Sequence, residues 1–277
     1  MTITTLDALV SAMGNNSSRI IIDKASIANA VAGQYHSLWR ATGVPSQGFL
    51  PGATAAVLSN TTTGAINFAQ QTAPATSYGS WANIVCSNAL ATVEIHDRLM
   101  AMDGLSGVVT TAQTVNLDVA ANLATANLDA RKGDANYSDI QWWMEWYTDT
   151  GSTAVTATIN VTYDDGSSGN LTALALAATR RASLMIPLNG LAAAGRYIRD
   201  INTVTLSATT GTAGNFGFTA TRPRMVLPTL VANKTETFDW AALGLPEIYN
   251  GSCLFPIVIA GTTSTGTVRG GGKISHG

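Results

Sequence analysis

Charge is scarce in this chain. Only 12% of its 277 residues are Asp, Glu, Lys or Arg, about half of the roughly 25% usual in soluble domains. The formal net charge is −2, and no basic run is present. Nucleic-acid binding through a phosphate-neutralising patch is therefore not expected. Cysteine is scarcer still. Cys86 and Cys253 are the only two, too few and too far apart for a disulfide framework or a zinc site. They read as small buried apolar side chains. No apolar run reaches the ~20 residues of a membrane span, and the first ten residues lack the basic start and long apolar core of a signal peptide. Synthesis in a cytoplasm and a soluble product are expected.

Catalytic signatures are missing too. No G-x-S-x-G, H-E-x-x-H, phosphate loop or dinucleotide fingerprint occurs. The glycine-rich run at 211–217 does not open a helix, so it offers no helix N-terminus to a phosphate. Residues 164–167 lack the spacing of a calcium loop and read as a D-G hairpin turn. His36, His96 and His276 are the only histidines, and four Glu are spread over the chain outside any motif. Glu94 and His96 share one strand face while Asp97 points to the other, which is a structural arrangement rather than an acid–base pair. The expectation is a non-enzyme with no metal and no cofactor.

What is present is an apolar content of 46%, ordinary for a folded core, set among Thr, Ser, Asn and Gly. Such a neutral polar surface suits a protein packed in an assembly, where each buried charge would need a partner. Residues 155–163 read V-T-A-T-I-N-V-T-Y, with Val155, Ala157, Ile159, Val161 and Tyr163 on one face and Thr or Asn on the other. That period of two marks a half-buried strand. Val204, Leu206 and Ala208 repeat it, as do Phe216, Phe218 and Ala220, with a Gly-rich turn between them. Further strands are expected over 81–86, 91–100, 114–119, 140–147, 183–188 and 202–208. A last pair, 253–260 and 265–273, is joined by G-T-T-S. Residues 171–181 fit either a strand or a short helix. Short strands at regular spacing predict a mainly β protein of the sandwich or jelly-roll kind over residues 66–277.

Residues 1–65 read differently. Leu6, Leu9, Val10 and Met13 have helical spacing, with Thr5 as N-cap and Gly14 as the stop. A second helix is predicted over 26–40, with Ile27, Ala30, Val31, Tyr35, Leu38 and Trp39 as its apolar stripe. The Pro- and Gly-rich segment that follows, 41–52, is irregular. An N-terminal arm that orders on a neighbour accounts for this stretch, with Tyr35, Trp39 and Arg40 as its contacts; a loop laid over its own domain accounts for it equally.

The densest aromatic cluster is I-Q-W-W-M-E-W-Y at 140–147. On a strand, Trp142, Met144 and Trp146 face one way and Trp143, Glu145 and Tyr147 the other. One face is core. The second is either more core or a subunit interface, or a platform where a sugar stacks between aromatics beside an acid.

Four segments carry a family resemblance: Y-H-S-L-W-R-A-T-G (35–43), E-I-H-D-R-L-M-A-M-D-G-L-S-G-V-V-T-T-A-Q-T-V-N (94–116), V-T-L-S-A-T-T-G-T-A-G-N-F-G-F (204–218) and A-L-G-L-P-E-I-Y-N-G-S-C-L (242–254). They resemble tailed-bacteriophage virion structural proteins encoded among head genes. The resemblance implies a virion component and says little about its position there; the expectation adopted is a decoration or cement subunit at the capsid surface, made in the host cytoplasm. Its partners would be the major capsid protein and copies of itself. Two other readings stand beside it: a carbohydrate-binding fibre module whose partner is a host glycan, and a tail or connector subunit.

Overall fold

The computed structural model describes residues 3–277. The protein is mainly β, with 44% of residues in strands and 8% in helices. In chain order the elements are α1 (Leu6–Asn15), β1 (Ser17–Lys24), β2 (Tyr35–Ser37), β3 (Gly43–Val44), β4 (Ala56–Val57), β5 (Ser77–Cys86), β6 (Ala91–Leu105) and β7 (Gln113–Asp118). Two short helices follow, α2 (Val119–Asn122) and α3 (Ala126–Lys132), then β8 (Gln141–Thr148), β9 (Val155–Tyr163), β10 (Ser168–Asn170), β11 (Leu174–Leu176) and β12 (Leu184–Pro187). The chain ends with β13 (Ile198–Leu206), β14 (Asn215–Thr229), β15 (Glu236–Asp239), β16 (Leu254–Ile259) and β17 (Val268–His276).

Two compact units are formed. The first takes residues up to Phe49, Ser59–Asp97 and Pro223–Gly277; the second takes Leu50–Leu58 and Arg98–Arg222. Each has its own apolar core. The 15-residue strands β6 and β14 contribute residues to both units.

In the first unit β17 is the central strand of a sheet ordered β15-β5-β17-β1-β3. β1 pairs with it from Ser17↔Ser275 to Lys24↔Val268, and β5 pairs on its other side from Val268↔Cys86 to His276↔Ser77. Alternation puts Ile20, Ile22, Ala82, Ile84, Val268 and Ile274 on the inner face, in one core with Val93 and Ile95 of β6 and Leu254 and Val258 of β16. Gly270 is required here: a Cβ at this position would lie 2.2 Å from the Asn83 carbonyl oxygen. Cys86 and Cys253 are both buried thiols, and burial pushes the Cys86 thiol up.

The N-terminal segment departs from its expected form. α1 forms, and Thr5 caps it by accepting the Ala8 N–H at 3.2 Å, but the helix runs through Gly14 to Asn15. Residues 17–24 are not part of an arm. They are β1, hydrogen-bonded to β17 along its whole length. The helix expected over 26–40 is absent. An isolated bridge at Ala28, a turn through Gly33 at φ +75° and the short strand β2 stand there instead. The apolar stripe that mimics a helix is satisfied by long-range partners, with β2 pairing to β16 from Ser37↔Ile257 to Tyr35↔Ile259. The irregular stretch after it is tied down by Lys24, whose Nζ donates to the carbonyls of Ala41, Pro45 and Ser46 at 2.7–3.4 Å. The boundary expected at residue 65 therefore does not separate the compact units.

In the second unit β13 lies between β9 and β7, and β10 and β11 pair along β9. Residues 171–181 thus contribute a strand. Val155, Ala157, Ile159, Val161 and Tyr163 of β9 all point into the core, as their spacing predicts, alongside Val204 and Leu206 of β13. β8 runs between β12 and β14. The Gly-rich turn at 209–215 is not a hairpin. It joins β13, which pairs with β9 and β7, to β14, which pairs with β8. The last two strands behave alike in the first unit: β16 pairs with β2 and β6, β17 with β1 and β5. In both places the chain reverses and changes sheet.

Candidate functional site

β8 is buried on both faces. Trp142, Met144 and Trp146 belong to the apolar core. Trp143, Glu145 and Tyr147 are 2%, 1% and 8% exposed, so they present no open platform to a sugar ring or a neighbouring subunit. This corrects the reading of that face as a glycan or interface surface. The reason is Arg98 of β6, which places a buried cation against it. Its Nη2 donates to Glu145 Oε2 at 2.6 Å, to Tyr147 Oη at 2.7 Å and to Thr219 Oγ1 at 3.2 Å. Tyr147 and Thr219 in turn donate to Glu145 Oε2 at 3.0 and 2.5 Å. Trp143 Nε1 donates to Thr221 Oγ1 at 2.8 Å. Burial raises the Tyr147 phenol far above its ordinary range. The carboxylate is thus held by a cation and two hydroxyls, the satisfaction a buried charge needs. Arg98 carried a signal that was legible: a charged pair, Asp97-Arg98, opens an otherwise apolar run in a strand.

Trp39, expected as an arm contact, is fully buried in the first unit. Its ring meets Phe255 and Phe49 edge-on at 5.9 and 6.4 Å, and its Nε1 donates to the Phe49 carbonyl at 2.9 Å. Gly48 makes room for it, since a Cβ there would lie 2.1 Å from the indole. Arg40 donates to the Gly48 carbonyl, and Tyr35 is half-buried on β2. These three residues serve their own unit.

The three histidines are hydrogen-bonded within the first unit. His96 Nε2 and Glu94 Oε2 are 2.8 Å apart, as the strand parity requires, and burial pushes His96 down. Asp97, on the opposite side, accepts from Ser252 Oγ and Cys253 N, each at 2.8 Å. His36 accepts the Val31 N–H at 3.0 Å, and burial lowers its pKa to about 4. His276 bridges Ser18 and Ser77 at 2.8 and 2.9 Å. The D-G turn forms as read, between β9 and β10, with Asp165 accepting the Ser167 N–H at 2.8 Å. Among the described residues no group of three or more His, Cys, Asp or Glu is placed to hold a metal ion.

A second buried carboxylate has a measurable consequence. Asp200 of β13 stands opposite Asp118 of β7. It accepts the Val119 N–H at 3.0 Å and Arg199 Nε at 2.7 Å. Burial pushes its pKa up to about 6; the Asp118 carboxylate adds to the rise and Arg199 opposes it. The folded state therefore binds this proton more tightly than the unfolded chain, whose Asp titrates near ~3.9. The associated stability is full below about pH 4 and lost as pH rises through about 6. Asp200→Asn should remove a loss on the order of 2–3 kcal/mol across that window. Urea unfolding at pH 4, 5, 6 and 7 checks it, and parallel pH curves for variant and wild type would sink it.

Exposed apolar groups mark a surface of another kind. In the first unit Leu90, Leu230 and Val231 are 72%, 62% and 52% exposed. The Leu90 N–H donates to the Leu230 carbonyl at 3.2 Å, which draws the two segments together. Leu90 also sits at φ +54°, a left-handed conformation that Asn or Gly adopts far more readily. A large apolar side chain is thus held in a disfavoured backbone conformation and displayed to solvent. On the outer side of α1, Leu6 and Val10 are exposed as well.

No family model matches the chain, and no curated protein matches it. Among solved structures it is similar to VP2 of infectious bursal disease virus, a capsid protein of an animal virus. One such structure, a D431N mutant VP2 in derived T=1 particles, is 11% identical over 94% of this chain and 77% of that chain, with a TM-score of 0.16. The VP2 subviral particle is 11% identical over 94% and 79%, with a TM-score of 0.17. Likeness at that level carries no argument about fold or function.

Proposed function

We propose that this chain is a non-enzymatic structural subunit of a virion, and more finely a decoration or cement subunit on the head of a tailed bacteriophage. A jelly-roll-like sandwich is the architecture we assign to it in that setting. The observation that carries the reading is the displayed Leu90, Leu230 and Val231 cluster on a chain with so little charge. Exposed apolar side chains on two hydrogen-bonded segments of a weakly charged surface suit a contact with another protein. Strain at Leu90 points the same way, because a disfavoured conformation is retained where it serves a contact. The phage resemblance of the sequence supplies the partners: the major capsid protein and further copies of this chain, at the capsid surface. Individual contacts would be small, and symmetry-repeated valency would supply retention.

The test is co-sedimentation with capsids that lack this protein. Burying a Leu side chain contributes about 1.5–3 kcal/mol. Leu90→Ser combined with Leu230→Ser should therefore reduce retention at least tenfold while leaving the circular dichroism spectrum unchanged. Equal retention of variant and wild type would remove the patch from the mechanism. Failure of the wild-type chain to bind capsids would remove the cement reading.

A further inference from the structure

The outer face of the sheet β15-β5-β17-β1-β3 carries a groove of about 440 Å³. Strand register lays out the outer face around it. Across one row stand Arg19, Lys273, Trp81 and Asp239, on β1, β17, β5 and β15. The next outward row is Ile21, Gly271 and Asn83, and the next Asp23, Arg269 and Val85. Gly271 leaves the middle of the face without a side chain, which opens a trough between Ile21 and Asn83.

The groove's chemistry is uneven. Arg19, Arg269 and Lys273 line it, and no carboxylate does. Arg269 is matched by neighbouring Asp23 at 3.0 Å, and Lys273 donates to the Met13 carbonyl at 2.9 Å. Asp239, at the far end of the Trp81 row, accepts the Ala242 N–H at 2.8 Å. Arg19 is exposed and has no ion-pair partner among the described residues. Trp39, Trp142, Trp143 and Trp146 are fully buried, whereas Trp81 lies half-buried on this outer face. Asn83 Oδ1 accepts the Gly271 N–H at 2.8 Å, which leaves its Nδ2 hydrogens for another acceptor.

These features select among ligands. The backbone groups of β17 and β5 under the trough are spent in the ladder, so an extended peptide finds a strand to join only along the β1 edge, where β3 pairs with Asp23 and Lys24 alone. Recognition must come from side chains: an aromatic plane, an amide donor and an unmatched guanidinium. An aromatic plane takes the apolar face of a ring, and a guanidinium takes a carboxylate as a bidentate partner. Single-stranded nucleic acid shares some of this chemistry, but it uses successive stacking platforms along a basic track, and this groove has one tryptophan. We propose that the groove binds a carboxylated sugar, its ring on Trp81 and its carboxylate on Arg19. The proposal stands independently of the virion reading.

Fluorescence titration of the full-length chain tests it, with oligogalacturonate and sialyllactose as carboxylated probes, maltotetraose as the neutral control and oligothymidylate as the rival polyanion. At least one carboxylated sugar should give a saturable change that Arg19→Gln weakens tenfold or more and that added salt weakens too. Trp81→Ala should abolish binding. Should that variant not fold, Arg19→Gln decides, because Arg19 is exposed and unpaired. No binding by either acidic sugar overturns the proposal, as does undiminished binding by Arg19→Gln. Equal affinity for maltotetraose, or tighter binding of oligothymidylate, overturns it as well.

Discussion

Arg98→Met is expected to destabilise the second unit by about 3–5 kcal/mol, because it strands the Glu145 carboxylate in the interior. Two hydroxyl donors, from Tyr147 and Thr219, remain after the substitution. They cannot replace a cation that sits 2.6 Å from the carboxylate. The double variant Arg98→Met, Glu145→Leu should recover much of the loss, because both desolvated charges then disappear together. The single Glu145→Leu should be costly too, since it leaves the guanidinium buried. Urea unfolding followed by tryptophan fluorescence reads the effect, as Trp142, Trp143 and Trp146 all lie on the same strand. A cost below about 1 kcal/mol for Arg98→Met would show that the network is not closed in solution. Coupling between the two positions is the sharper measurement, and additive single-variant costs would count against a direct pair.

Trp39→Ala is expected to cost about 3–5 kcal/mol, the range for emptying a large aromatic site. The residue loses its edge-on contacts with Phe49 and Phe255 and its bond to the Phe49 carbonyl. Gly48, whose place against the indole leaves no room for a side chain, would then border a void. The segment that follows should loosen with it, so limited proteolysis near residues 43–52 should quicken in the variant and stay slow in the wild type. This reverses the expectation for an arm, where a surface substitution costs within about 0.5 kcal/mol. Removing residues 1–40 should likewise fail to leave a folded remainder. It strips β1, with Ile20 and Ile22, from β17 and exposes Val268 and Ile274 of the first core. A truncated chain with native circular dichroism and an unchanged unfolding midpoint would restore the arm.

The strands were legible in the sequence because their signal is local. A half-buried strand needs an apolar side chain at every second position, and residues 155–163 and 216–220 carry that pattern without interruption. The Thr5 cap and the D-G turn are local in the same sense. Helical spacing over 26–40 was a false signal. Its apolar residues are spaced for a helix, yet β16 and the bridge to Ser264 offered partners that isolated periodicity cannot anticipate.

Sheet membership lay beyond the sequence as well. The turns at 209–215 and 261–264 announce that the chain reverses. A reversal is compatible with a hairpin and equally with a crossing into another sheet, and only the distribution of distant partners decides between them. The same holds for charge. Glu145 flanked by Trp143 and Tyr147 has one appearance in sequence whether it lines a sugar platform or a buried ion pair. Arg98, 47 residues away, decides it. The trough beside Trp81 is another case. Arg19, Trp81 and Gly271 are far apart in the chain and become neighbours through the register of β1, β17 and β5. Sequence determined which segments are strands and which face of each is apolar, because those follow from neighbours one or two residues apart. Tertiary structure decided which polar groups are buried together and which are left to meet a partner, because burial depends on segments that only folding brings into contact.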